Sequence, residues 1–87
     1  MHIFYSKRYL KKSAKKVSRD PDLQKQIRSA LFFLERDEHR PHLRIHKLKG
    51  NRQEQYAVWI RRNTRLIFLM INTTDILLLD LITHDEY

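Results

Sequence analysis

The chain has 87 residues, enough for one small domain with a modest core, and it contains no Cys, which excludes disulfides and thiolate metal sites. Its 18 Lys+Arg against 10 Asp+Glu leave a formal net charge of +8, a balance suited to a polyanionic partner such as nucleic acid, a ribosome or an acidic protein. The longest apolar run, residues 76–82, is broken by Asp80 and falls short of a bilayer span, and the opening residues lack the pattern of a signal or transit peptide. One domain over residues 1–87, soluble and cytoplasmic, is expected.

"HIFY" at 2–5 reads as a short strand. Ser6 offers an N-cap hydroxyl, and Tyr9, Leu10, Ser13, Ala14 and Val17 then recur at helical spacing. Lys11, Lys12, Lys15 and Lys16 take the other face, so residues 1–19 carry seven Lys/Arg and no acid. This helix is expected to dock on a core by its thin apolar stripe rather than to lie on a membrane. "RDPD" closes it and begins a second helix, with Asp20 as the cap and Pro21 at the first position, where its missing N–H costs nothing. Leu23, Ile27, Ala30, Leu31 and Leu34 form its stripe, widened by Phe32 and Phe33. The pattern fades in "ERDEHR", and Pro41 ends it.

Beyond Pro41 the period changes from about 3.6 to 2. "LRIHKL" alternates Leu43 and Ile45 against Arg44 and His46. The only Gly, Gly50, opens the loop "GNRQEQ". "YAVWIR" alternates Tyr56, Val58 and Ile60 against Ala57, Trp59 and Arg61. "RLIFLMI" and "ILLLDLI" are apolar on nearly both sides, as central strands with covered faces are, and "NTTD" is the hairpin between them. The order β-α-α-β-β-β-β cannot build a doubly wound parallel sheet. It predicts an α+β fold with two N-terminal helices on one face of a mostly antiparallel twisted sheet. The other face is then a concave surface on which His46, Trp59 and Arg61 can stand.

Four stretches in this order, "HKLKG" at 46–50, "YAVWI" at 56–60, "RLIF" at 65–68 and "ILLLDLITHDEY" at 76–87, resemble the RelE/ParE-superfamily toxins of bacterial type II toxin–antitoxin systems. The resemblance covers nearly the whole chain. The two histidines and the last aromatic bring it nearest the RelE/YafQ-like mRNA endoribonucleases. It implies metal-independent cleavage of mRNA at the ribosomal A site, inhibition of translation and growth, and neutralisation by a co-encoded antitoxin. No cofactor is implied. The rival within the same fold is a ParE-like toxin that binds DNA gyrase and cuts no RNA.

Metal-free RNA cleavage needs a base for the 2′-hydroxyl, an acid for the leaving 5′-oxygen, charge to stabilise the phosphorane, and a grip that holds the nucleotide in line. Histidine suits the proton transfers, arginine the phosphate, and an aromatic ring the base. By resemblance, His84 is the general acid or base and His46 the second proton-transfer group or a phosphate ligand. Arg65 holds the scissile phosphate, unless it serves only a salt bridge to Asp80 or Asp85. Tyr87 matches a terminal aromatic that stacks on a base or assists proton transfer. Lys47, Lys49, Arg61 and Arg62 flank these groups as phosphate contacts, which makes affinity fall steeply with salt. RelE-like proteins carry two lysines where Ala57 and Trp59 stand, and YafQ-like proteins a histidine at Trp59. That strand therefore supplies no proton-transfer group, and Trp59 is left as a stacking surface or a core residue. Asp80 needs a partner if buried, and is expected to act as a structural acceptor, to orient a histidine or to pair with an arginine. His84, Asp85 and Glu86 are hard-cation ligands, but no second cluster completes a shell, so no metal is expected. A basic groove of this kind is most simply blocked by an acidic antitoxin segment that folds around it.

Overall fold

The computed structural model describes residues 1–36, 45–48 and 55–83. The elements follow the expected order: β1 (His2–Tyr5), α1 (Lys7–Val17), α2 (Pro21–Glu35), β2 (Ile45–Lys47), β3 (Gln55–Arg61), β4 (Thr64–Met70) and β5 (Asp75–Thr83). They make one five-stranded sheet in the order β1-β5-β4-β3-β2. Only β1 and β5 pair in parallel, and the other neighbours are antiparallel. No helix among the described residues is long and apolar enough to cross a membrane.

Both helices begin at the caps the sequence offers. The Ser6 hydroxyl oxygen accepts from the Tyr9 N–H at 3.0 Å and donates to the Leu79 carbonyl at 3.1 Å. The Ser6 N–H donates to the Leu78 carbonyl at 3.0 Å. One residue thus starts α1 and ties that start to β5 just beyond the end of β1. At α2, Asp20 accepts from the Leu23 N–H at 3.0 Å, with Pro21 in the first turn. In the β4–β5 hairpin the Asn72 side-chain oxygen accepts from the N–H groups of Thr74 and Asp75, which folds the turn without a glycine.

The core lies on one face of the sheet. Leu23, Ile27 and Leu34 of α2 and Tyr9 of α1 close over Val58, Leu66, Phe68, Ile76, Leu78 and Leu81. Tyr56 and Phe68 stack across β3 and β4 with ring centroids 5.4 Å apart. Burial, assisted by the neighbouring Tyr5 and opposed by a hydrogen bond with Ser13, pushes the Tyr9 phenol up to about 12, so it stays neutral in the core at any ordinary pH. Two apolar residues assigned to helix stripes are outside this core. Leu10 is 51% exposed and Phe32 49%. α1 docks through Tyr9 and Val17, and Phe32 instead lies under the Arg36 guanidinium, 3.7 Å from its ring centroid.

Strict alternation fails at two places. Ile67 is opposite Asp80 while Phe68 is opposite Leu78, so Leu79 is an extra residue in β5. Trp59 is opposite Arg65 while Arg61 is opposite Thr64, so Ile60 is extra in β3. A bulge shifts all later residues of its strand to the opposite face. After Leu79, Leu81 enters the core at 0% exposure, and Asp80 and Ile82 turn to the opposite face of the sheet. Truncation of Leu81 to Ala is therefore expected to cost about 2–5 kcal/mol of unfolding free energy. Ile82→Ala should cost less than half as much. Urea unfolding followed by far-UV circular dichroism checks the contrast, and equal costs would show that the two side chains share one environment.

Candidate nucleic-acid interface

The sheet face opposite the core carries a cationic and aromatic cluster built from three strands. Trp59 of β3 and Arg65 of β4 are direct partners across the ladder. The Arg65 guanidinium carbon lies 4.0 Å from the centroid of the Trp59 ring. A cation over an indole gains roughly 0.5–2 kcal/mol according to its exposure. A guanidinium presents a planar fork of N–H donors, which suits two-point contact with a phosphate. His46 of β2, opposite Ala57, stands on the other side of the same indole, ring centroids 5.9 Å apart and inclined by 50°. Trp59 is thus neither a core residue nor a bare platform, since it seats Arg65 and abuts His46.

The remaining candidate residues are distributed differently. Arg61 does not join His46 and Trp59. The bulge at Ile60 turns it to the helix side, where it makes a two-point contact with Asp20 at 2.8 and 3.3 Å. Its Nε donates to the Gln26 side-chain oxygen at 2.7 Å. Lys47 is exposed but follows the other parity, opposite Tyr56. Arg62 is exposed in the turn between β3 and β4. β5 ends at Thr83, opposite Thr64 and one register step from Arg65. His84, Tyr87 and Lys49, with Asp85 and Glu86, lie outside the described residues. Among the described residues no three His, Asp or Glu side chains come together as a metal centre needs.

A second charged group lies on the same face, with partners for Asp80 that the sequence did not name. Asp80, with its side chain only 17% exposed, lies 2.7 Å from the Lys12 ammonium and 3.4 Å from Arg8 Nε. Asp80 therefore does pair with an arginine, though with one from α1 rather than with Arg65. The signal available in the sequence was the i, i+4 spacing of Arg8 and Lys12, which places both cations on one side of α1.

No family profile matches the sequence, and no curated protein does. Solved structures do. The chain superposes on a copper-bound mutant toxin from Helicobacter pylori with a TM-score of 0.82 at 22% identity, over 99% of this chain and 97% of that one. It superposes on the heterotetrameric YoeB–YefM toxin–antitoxin complex from Staphylococcus aureus with a TM-score of 0.78 at 20% identity, over 97% of each chain. With YafQ from E. coli strain BL21(DE3) the values are 0.68 and 18%, over 97% of this chain and 93% of that one. Identities this low establish architecture. The chain has the RelE-like α+β fold, and the resemblance to RelE/ParE-superfamily toxins is borne out at that level.

The Arg61–Asp20 pair has a pH signature. Hydrogen bonding from Arg61, followed by the Leu23 N–H, holds the Asp20 carboxyl below the usual aspartate range. A lowered folded-state value means that the pair stabilises above the ordinary aspartate pKa and ceases to do so as pH falls through the lowered one. Asp20→Asn is expected to reduce the acid sensitivity of the unfolding midpoint below about pH 4 while lowering the midpoint at neutral pH. Urea midpoints across this range test it, and an unchanged acid limb would remove Asp20 from the linkage.

Proposed function

We propose that this protein is the toxin of a type II toxin–antitoxin pair, an endoribonuclease that cuts mRNA in the ribosomal A site without metal and so arrests translation and growth. The observation that carries this reading is the Arg65 guanidinium seated on Trp59 beside His46, on a sheet face that the helices leave uncovered. Such a grouping joins a phosphate ligand, a proton-transfer group and an aromatic wall, and the net charge of +8 favours an RNA partner.

In the proposed reaction the 2′-oxygen attacks the adjacent phosphorus as its proton passes to a base. The bond from phosphorus to the 5′-oxygen then breaks, and that oxygen takes a proton. The products are a 2′,3′-cyclic phosphate and a 5′-hydroxyl. Arg65 holds the phosphate and stabilises the added negative charge of the phosphorane. His46 and His84 divide the two proton transfers, and Tyr87 stacks on or assists at the scissile nucleotide. Lys47, Lys49 and Arg62 contribute phosphate contacts around it. Arg61 is assigned to stability instead, since Asp20 and Gln26 hold it on the helix side. The partner that silences the protein is a cognate antitoxin with an acidic segment, a reading supported by the toxin–antitoxin complex of the YoeB–YefM neighbour. The setting is the cytoplasm, where mRNA is translated.

Primer extension on transcripts from expressing cells should show cuts in codon register within translated regions. Arg65→Ala is expected to lower cleavage by about 10²–10³-fold, and His46→Ala by at least about 10²-fold, with unfolding midpoints near that of the unmodified protein. Full toxicity in the Arg65 variant would overturn this site. DNA breaks with intact mRNA would favour the gyrase-binding alternative.

A further inference from the structure

Beside the Arg65–Trp59 pair, on the same face, lies a cleft of about 520 Å³ between α1 and strands β3 to β5. Its size falls in the range of small-ligand sites, roughly 300–1,000 Å³. Its floor is apolar, formed by Ile67, Leu79 and Ile82, and its rim carries Arg8, Lys12 and Gln55. Asp80 sits between the two cations.

We propose that this cleft is a second nucleotide subsite, which takes the residue of single-stranded RNA next to the one held at Arg65. The proposal rests on the nuclease reading above and deepens it. Position gives the first argument. Arg65 and Ile67 are successive residues on the same face of β4, and their partners on β5 are Ile82 and Asp80. The cleft therefore begins at the Arg65 register, with Ile82, and runs on past Ile67 and Asp80, one alternation or about 7 Å further along the strand. That is the order of one nucleotide of extended RNA. Chemistry gives the second. A base needs a flat apolar floor, which the aliphatic side chains supply, and a polar group at its edge, which the Gln55 amide supplies as both donor and acceptor. A phosphate needs cations at the rim. Among the described residues Arg8 and Lys12 outweigh Asp80 by one charge. Asp80 keeps both cation heads at the mouth of the cleft, so their ordering precedes binding.

The alternative is that Asp80, Arg8 and Lys12 only clamp α1 to the sheet. The two predict different readouts. The probe is a short 2′-O-methyl RNA, which binds but cannot be cut, followed by fluorescence of Trp59, the one Trp of the chain. With Lys12→Gln and Arg8→Gln combined, affinity should fall, and the slope of log affinity against log salt should shrink by about 0.7 for each phosphate that is no longer neutralised. Lys12→Arg should keep the slope. Asp80→Asn should lower the thermal midpoint while the salt slope holds, because both cations remain to neutralise phosphate. Gln55→Ala should change which base is preferred at one position flanking the cut. An unchanged slope in the double variant, with cutting by the unmodified protein intact, would overturn the subsite and leave the nuclease reading standing. Unmodified protein that neither binds the probe nor cuts mRNA would overturn both. Lys12-dependent binding of poly-glutamate without binding of the RNA would assign the cleft to an acidic protein and also overturn the proposal.

Discussion

The extra residue in β5, Leu79, decides which side of the sheet every later side chain of that strand faces. Ile76 and Leu78 point into the core with no measurable exposure, and unbroken alternation would send Asp80 after them. A carboxylate buried among Leu66, Phe68 and Leu34 would have to be paired or neutralised at a cost of several kcal/mol. The bulge removes the conflict. Asp80 turns to the uncovered face, and Leu81 takes the core position instead. Ser6 meets β5 at this point, with its N–H on the Leu78 carbonyl and its hydroxyl on the Leu79 carbonyl. The same hydroxyl oxygen caps α1. The start of α1 is therefore tied to β5 at its irregularity, and α1 brings Arg8 and Lys12 to Asp80.

The second bulge, at Ile60, performs the corresponding sorting on β3. Trp59 precedes it and stays on the uncovered face with Arg65. Arg61 follows it and turns to the helices, where Asp20 has a double duty. Asp20 caps α2 through the Leu23 N–H and receives the Arg61 fork. One carboxylate thus joins the start of α2 to the end of β3. The two arginines, four residues apart, have opposite assignments, Arg61 to cohesion and Arg65 to the uncovered face.

The parts of this structure that repeat were legible in the sequence, and the parts that interrupt repetition were not. Apolar spacing with Ser6, Asp20 and Pro21 marked both helix starts, and the change of period after Pro41 marked the strands. Those signals are local, so they survive without knowledge of neighbours. His46, Trp59 and the uncovered face followed from alternation upstream of any bulge. Alternation puts Arg61 on the face of Trp59, whereas the extra residue at Ile60 turns it to the other, and a one-residue slip has no local mark in the sequence. Leu10 and Phe32 were overcounted for a related reason. A helix stripe fixes which residues share a side, whereas contact with the sheet chooses only part of it. The Asp80 cluster joins residues about seventy positions apart, and no local pattern encodes that meeting.

On the proposed function, stability and recognition share residues on this face. Lys12 and Arg8 help hold α1 against β5 through Asp80, yet they are also cations at the rim of a cleft beside Arg65. In a chain with so small a core, few contacts can be given up to function alone. The consequence is an asymmetry between Asp20 and Asp80. Asp20 holds Arg61 on the helix side, where the pair serves only cohesion. Asp80 holds its cations on the face that would meet RNA, so it costs some electrostatic attraction for a polyanion in return for their fixed position. A cation ordered before binding loses less entropy on contact with phosphate than a mobile one. A partly neutralised, preset rim therefore favours an extended strand of definite register over loose attraction to any polyanion. That selectivity matters for a protein whose surplus of eight positive charges would otherwise draw it to nucleic acid indiscriminately.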